Sequence, residues 1–314
     1  MKQQPSRREF LRTGAAAALS ILSRRVKGAT IDAASPGEFD FPVIDFHAHP
    51  FEGNVPLERI IEVAKGRGVK LGVVDHGGFS LRLASDEALK QYIAKLAGYP
   101  VYKGMQAEGL DWMKCFSKEV VAQLDYVLSD AMIFPEKDGR RVRLWTPEAQ
   151  IGDKQDFMER YVAFNVQVIS EEPIDIFANP TYLPEALAAE YDALWTKARM
   201  IKVIEAAKKH GVAIEINSRF NIPSLAFLRM AREAGTKFSF GSNLRDEDVG
   251  KLDYSVKMAK ELGLTRKDMF MPAPASSKPI LRRTFASKLR FDDSRLKEYA
   301  AAHPASGLVR RKES

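Results

Sequence analysis

The sequence predicts an α/β chain folded as a distorted (β/α)7 TIM-like barrel in a single domain. Three observations predict it. Short apolar runs alternate with helical patterns in one continuous series, the mark of parallel βα units. Seven such runs occur, and no dinucleotide-type glycine fingerprint follows the first, which favours a barrel over an open doubly wound sheet. The chain has 314 residues, 45% hydrophobic and 28% charged, a mix able to bury a large core.

The strands are expected over 43–47, 70–75, 99–107, 125–129, 174–178, 212–216 and 237–241. Helices are expected near 56–66, 85–97, 156–171, 197–210, 222–234 and 247–262. Pro56, Ser85, Pro223 and Asp246 supply starts, and Gly211, Gly235 and Gly263 supply stops. Residues 131–155 read as a hairpin-like excursion after the fourth strand. The barrel is expected to occupy 42–275.

The two ends read differently. Ser6-Arg7-Arg8-Glu9-Phe10-Leu11-Arg12 matches the twin-arginine export pattern, and a weakly apolar stretch from Thr13 to Leu22 follows. That stretch is too short to span a bilayer, which needs ~20 apolar residues. Residues 1–29 are therefore expected to be a signal peptide read by the twin-arginine export machinery. The destination is periplasmic or extracellular, with no stable membrane span after processing. Residues 30–41 read as a linker, and 276–314 as a basic, partly helical tail.

Charge follows these boundaries. Residues 1–29 hold seven Lys/Arg against Glu9, and residues 276–314 hold ten against four acids, so each end carries +6. The whole chain is +7, which leaves −5 for residues 30–275. A mildly acidic body argues against nucleic acid as a partner. The single cysteine, Cys115, excludes an internal disulfide framework and a multi-cysteine metal site.

Chemistry in such a barrel collects at the C-terminal strand ends. The first strand runs Pro42-Val43-Ile44-Asp45-Phe46-His47-Ala48-His49. Alternate residues of a strand share a face, so His47 and His49 project together where the strand runs out and can share a metal ion. His76 follows the second strand, and Gly77-Gly78 beside it allows close backbone approach. Glu108 follows the third strand and Asp130 the fourth, the latter as a metal ligand or general base. Asn179, Asn217 and Asn243 stand at the ends of the fifth, sixth and seventh strands, where each contacts metal or substrate or simply serves a turn. Glu215, one residue before its strand end, is placed to ligate or to pair with Arg219. Arg245, Arg219 and Lys103 are candidates to clamp an anion.

The order and spacing of these pieces resemble the PHP family (polymerase and histidinol phosphatase) of metal-dependent phosphoesterases. The resemblance runs from about 43 to 263 and rests on His47-Ala48-His49, Asp75-His76-Gly77, Glu108, Gly211-Val212-Ala213-Ile214-Glu215-Ile216-Asn217 and Phe240-Gly241-Ser242. It implies that His47, His49, His76 and Glu108 fall at ligand positions. Three positions depart from the family pattern. The histidine after strand four falls near Ala131, with Asp130 as the nearest substitute. Asn179-Pro180 stands for His-Pro, and Asn243-Leu244-Arg245 for Asp-x-His. An asparagine amide is a weaker, neutral ligand, and arginine cannot ligate.

These readings converge on an exported metal-dependent hydrolase, a phosphoesterase using metal-activated water and a small anionic, phosphorylated substrate. One or two divalent ions (zinc, manganese or iron) are expected on His47, His49 and Glu108, with His76, Asp130 and Asn243 contributing. Arg245 and Arg219 would neutralise charge on the phosphoryl oxygens. Two alternatives remain: a catalytically degenerate binding or accessory protein, and a metal-dependent amidase or lactonase.

Overall fold

The computed structural model describes residues 38–282, apart from 148 and 150. The expected signal peptide, most of the linker and the tail beyond 282 lie outside the described residues. Ten strands occur within them: β1 (Ile44–Ala48), β2 (Lys70–Val73), β3 (His76–Gly77), β4 (Tyr102–Ala107), β5 (Tyr126–Ser129), β6 (Ile133–Pro135), β7 (Arg141–Arg143), β8 (Ile176–Phe177), β9 (Ala213–Asn217) and β10 (Phe238–Gly241). All but β6 and β7 form one parallel sheet, in the order β2-β1-β10-β9-β8-β5-β4-β3, and β2 also pairs with β4. That last pairing closes the ring. Because β2 and β3 are two pieces of one strand lying along β4, the ring has seven positions. The fold class read from the sequence is thus the observed one.

The longer helices are α1 (Leu57–Gly66), α2 (Asp86–Leu96), α3 (Lys154–Glu171), α4 (Lys197–His210), α5 (Leu225–Glu233) and α6 (Asp253–Leu262). Ser85, Asp153, Thr196 and Ser224 each accept a backbone N–H of the first turn of α2, α3, α4 and α5. Gly211 and Gly263 end α4 and α6 in the left-handed conformation.

Two elements differ from expectation for visible reasons. The last helix begins at Asp253, not near 247. Gly250, at φ 80°, breaks the path, and its N–H donates to the buried Asp45 Oδ2 at 2.9 Å. The second strand breaks at Val74-Asp75, where Asp75 accepts from the His76 N–H and from Arg82 Nη1. The excursion after β5 is the antiparallel pair β6–β7.

Inside the ring, Ile44, Phe46, Val74, Tyr126, Leu128, Ile176, Ala178 and Ala213 form a small apolar floor. A larger apolar layer lies between sheet and helices. Tyr126 stands at the centre of the floor, where its hydroxyl donates to Phe46 O at 2.7 Å. A Cβ at Gly72 or Gly104 would come within 2.5 or 2.2 Å of Tyr126 atoms, so both positions need glycine to admit the phenol.

The floor also shows how β1 aims its histidines. Phe46 packs against Tyr102 and Tyr126, across the interior. His47, the very next residue, also reaches across the interior, to β4 and β9. Successive residues share a face because the β1–β2 register shifts between Asp45 and Ala48. Such an irregularity flips the alternation, so an apolar plug and a polar pair come from one short strand.

Candidate metal centre

The strand ends deliver polar side chains above that floor. His49, Glu52 and His76 each offer a ligating atom, and these atoms lie within 4.8 Å of one another. His49 follows β1 directly. Pro50 then starts a single 3-10 turn, Pro50–Glu52. Side chains three apart eclipse in such a turn, which returns Glu52 over His49. The His49 and His76 rings stack with centroids 4.8 Å apart.

Glu52 Oε1 lies 3.2 Å from His49 Nδ1 and 2.6 Å from His76 Nε2. Yet His49 Nδ1 and Glu52 Oε1 are both buried without a partner in hydrogen-bond geometry. Lone-pair atoms crowded together and left unsatisfied are what a cation would need. Two imidazoles and one carboxylate, with coordination positions left over, are also a known catalytic donor set for zinc or iron. The residues present therefore fit a divalent ion.

The surroundings orient this triad. His76 Nδ1 pairs with Glu108 Oε1 at 2.6 Å, which directs Nε2 toward Glu52. Arg245 Nε donates to Glu52 Oε2 at 2.6 Å, and its Nη2 joins the same oxygen. Glu52 thus keeps Oε1 for the triad. Burial, with the His76 and His47 charges, pushes His49 down to about 3, so its ring is neutral. Burial opposes the charged form of His76, but Glu108 and Glu52 outweigh it and hold His76 at about 10. Burial also opposes the charged form of Glu52, yet its contacts with His49 and His76 hold it well below the usual carboxylate range.

A second cluster stands beside the first. His47 Nδ1 meets Glu215 Oε1 at 2.7 Å, and His47 Nε2 meets Gln106 Oε1 at 3.0 Å. Burial works against the charged ring, but the charge and hydrogen bond of Glu215 raise its pKa above the ordinary histidine value. Glu215 Oε2 accepts from the Asn179 N–H at 2.6 Å and from Asn217 Nδ2 at 3.0 Å. Asn179 Nδ2 donates to Asp130 Oδ2 at 2.7 Å, and Gln106 Nε2 donates to the same oxygen at 3.3 Å. Asn217 Nδ2 and Asn243 Nδ2 both donate to Asn179 Oδ1 at 3.0 Å. Asn179 and Asn243 have φ of 45° and 49°, a conformation asparagine tolerates better than most residues. Burial, then the Glu108 charge, pushes Asp130 up to about 6.

The arginines mark the rim. Arg219 Nη1 donates to Asn243 O at 3.1 Å, and its guanidinium lies 5.3 Å from the Phe220 ring centroid. Among the described residues no carboxylate forms an ion pair with Arg219, whereas Arg245 is paired with Glu52. A cleft of about 880 Å³ opens beyond Phe220, lined by Tyr182, Tyr191, Tyr254, Met258 and Glu185 among others. The donor triad does not line this cleft; Phe220, on its wall, carries the Arg219 guanidinium against its ring.

The structure therefore brings together His47, His49, His76, Glu108, Asp130, Asn179, Asn217, Asn243, Arg219 and Arg245, but in two clusters. His47 belongs to the second, with Glu215, which pairs with it and not with Arg219. Lys103 lies elsewhere. It is the second residue of β4, at the opposite mouth, where its N–H donates to Asp125 Oδ2. Sequence reasoning missed Glu52 and Gln106. The signal for Glu52 was the spacing His49-Pro50-Phe51-Glu52, a proline-started turn with donors at both ends. Gln106 precedes Glu108 by two on one strand and so shares its face.

No family model and no curated protein matches the sequence. Among solved structures, the chain is similar to histidinol phosphate phosphatase from Lactococcus lactis subsp. lactis, complexed with zinc, L-histidinol and phosphate. The TM-score is 0.53 at 16% identity, covering 74% of this chain and 98% of that one. At that identity the likeness establishes the fold alone. An archaeal ribonuclease P structure with mature tRNA also matches, with a TM-score of 0.37 at 14% identity over 86% of this chain and 96% of that one.

Proposed function

We propose that this chain is a metal-dependent hydrolase of phosphate esters. One observation carries the reading: His49 Nδ1 and Glu52 Oε1 are buried, unsatisfied and crowded against His76 Nε2. A divalent ion there (zinc, manganese or iron) would polarise the phosphoryl oxygen and lower the pKa of a water. The similar phosphatase, which carries zinc and phosphate, supports phosphate as the group handled.

The chain's own residues supply the rest. His49, Glu52 and His76 hold the ion, and Glu108 fixes the His76 ring through Nδ1. Asp130, held near 6, is suited to take a proton from the attacking water near neutral pH. Arg219, which forms no ion pair with a carboxylate among the described residues, is suited to a phosphoryl oxygen. Asn179 and Asn243 hold the strand ends in place around it. Water oxygen joins phosphorus, the ester P–O bond breaks, and the departing alkoxide takes up the proton that Asp130 received from the water. The aromatic cleft beyond Phe220 receives the organic part of the ester. The twin-arginine pattern at Arg7-Arg8 supports placing this activity outside the cytoplasm.

The test is elemental analysis of the purified full chain together with hydrolysis of a phosphomonoester panel. His49→Ala is expected to remove both metal and turnover. Undiminished hydrolysis by metal-free protein would sink the proposal, as would a loaded protein that cleaves amides or lactones but no phosphate ester.

A further inference from the structure

The turn that carries Glu52 is held by a segment about 190 residues further along the chain, just after β10. Three consecutive residues reach it. Arg245 takes Glu52 Oε2. Glu247 Oε1 accepts from Arg59 Nε, on α1, at 2.8 Å. Between them, Asp246 Oδ1 accepts from the Asn54 N–H at 2.7 Å and from the Val55 N–H at 3.1 Å.

These contacts differ in kind. The Glu247–Arg59 pair is exposed at both ends, where an ion pair adds little. Arg245 holds the Glu52 side chain but not the backbone beneath it. On the other flank of the turn, Arg82 Nη1 donates to Phe51 O at 3.1 Å from an exposed side chain. Asp246 alone binds two successive backbone N–H groups with a charged acceptor, which fixes the path of the chain itself.

The surroundings are shaped to this carboxylate. Asp246 has φ of 50°, a conformation that costs a non-glycine residue energy. Gly53 lies against it: a Cβ there would stand 2.1 Å from Asp246 Oδ1 and 2.6 Å from its Cγ. The backbone of Gly53, at φ −98° and ψ −172°, is open to any residue, so the carboxylate is what excludes a side chain there. Glu52 immediately precedes Gly53 and closes the turn Pro50–Glu52. Its Oε1 meets His49 and His76 only while that turn keeps its place.

We propose that Asp246 is a positioning residue of the metal centre: by clasping the Asn54 and Val55 N–H groups it fixes the turn that sets Glu52 Oε1 over His49 and His76. The inference rests on the metal-centre reading above and deepens it by naming what holds the carboxylate donor.

The test takes apo full-length protein through two measurements that need no turnover. Co²⁺ affinity is read by competition with a chelating dye, and backbone hydrogen exchange is followed at Asn54 and Val55. Asp246→Gly suits the left-handed backbone and removes only the carboxylate. It is expected to weaken Co²⁺ binding about 10–100-fold, the loss typical of an outer partner, and to speed exchange at both amides at least about tenfold. Asp246→Asn keeps an acceptor oxygen and tolerates the same φ, so it is expected to stay within about threefold of the wild type in both measurements. Gly53→Ala is expected to displace the carboxylate and to match Asp246→Gly; it reads the same contact should Asp246→Gly fail to fold. In the double variant the new Cβ meets no carboxylate, and the loss is expected to equal that of Asp246→Gly alone. Unchanged Co²⁺ affinity in Asp246→Gly overturns the proposal. Equal loss in Asp246→Asn does so too, since charge and not the clasp would then be the cause, and so do additive losses in the double variant. A wild-type chain that binds no Co²⁺ refutes the metal-centre reading instead. The clasp is then decided by exchange alone: faster exchange in Asp246→Gly supports it, and unchanged protection at Asn54 and Val55 overturns it.

Discussion

His47 and Glu215 meet at 2.7 Å inside the barrel, and Gly241 is what makes room for them. A Cβ on Gly241 would lie 1.8 Å from Glu215 Oε1 and 2.8 Å from His47 Cβ. Neither neighbour can yield, because both are fully buried and hydrogen-bonded to further groups. Gly241→Ala is therefore expected to destabilise the fold by about 2–3 kcal/mol, near the upper end for a wedge in a packed interior. Urea unfolding measures it. A loss under about 0.5 kcal/mol, the range of neutral surface changes, would mean that the pair does not sit as described.

Glu52 is the donor of the triad that the histidine pattern alone does not reveal. Glu52→Gln removes the only carboxylate of the donor triad and weakens the Arg245 contact. Metal affinity is expected to fall by more than the ~10–100-fold seen on losing an outer partner. Competition with a chelating dye measures this. Glu108→Gln alters only the group behind His76 and is expected to fall within that smaller range.

Arg219 should matter for the anion and not for the ion. Arg219→Ala is expected to weaken competitive inhibition by inorganic phosphate about tenfold, the loss of roughly 1.4 kcal/mol from a charge-assisted contact. Metal content should stay the same. Unchanged phosphate inhibition would remove Arg219 from the site.

Glu172 predicts a pH dependence remote from the metal. It is buried at the end of α3 and accepts from Trp112 Nε1 at 3.0 Å. Burial pushes it up to about 8, against the pull of the Trp112 hydrogen bond. The unfolded carboxyl releases its proton near pH 4.3. Between that value and about 8 the folded chain holds a proton that the unfolded chain has lost. Stability from this residue is thus complete at low pH and declines as pH rises through the window, by about 1.4 kcal/mol per unit of separation. Glu172→Gln keeps the shape without the proton. It is expected to flatten the slope and to exceed the wild type in stability at pH 8. Parallel stability–pH profiles for the two proteins would contradict this.

The barrel was legible because its signals are local. Apolar runs, the cap at Ser85, and left-handed glycines at 211 and 263 each act within a few residues. The strand ends His49, His76, Glu108 and Asp130 followed from that frame. The division of the site did not. How His47 and Glu52 are paired depends on Gln106, Glu215 and Arg245, which lie between 59 and 193 residues away along the chain. The irregularity in β1 was equally hidden, since an alternating pattern from Val43 to His49 points His47 away from Phe46. Lys103 shows the converse: a strand was expected to begin at 99, but a residue near its start lies at the wrong mouth.

The donor triad has a kinetic consequence. His49, Glu52 and His76 all belong to the first strand–helix–strand unit, β1 through β3. Their mutual contacts close only a short loop, so little chain entropy opposes them. The Arg245 brace and the His47–Glu215 pair instead join distant parts of the sequence and must await closure of the ring. During synthesis, then, the triad's donors leave the ribosome well before the groups that surround them. If the triad takes an ion as proposed, loading and ring closure would be separable events, and an ion captured early would template the half of the barrel still to come.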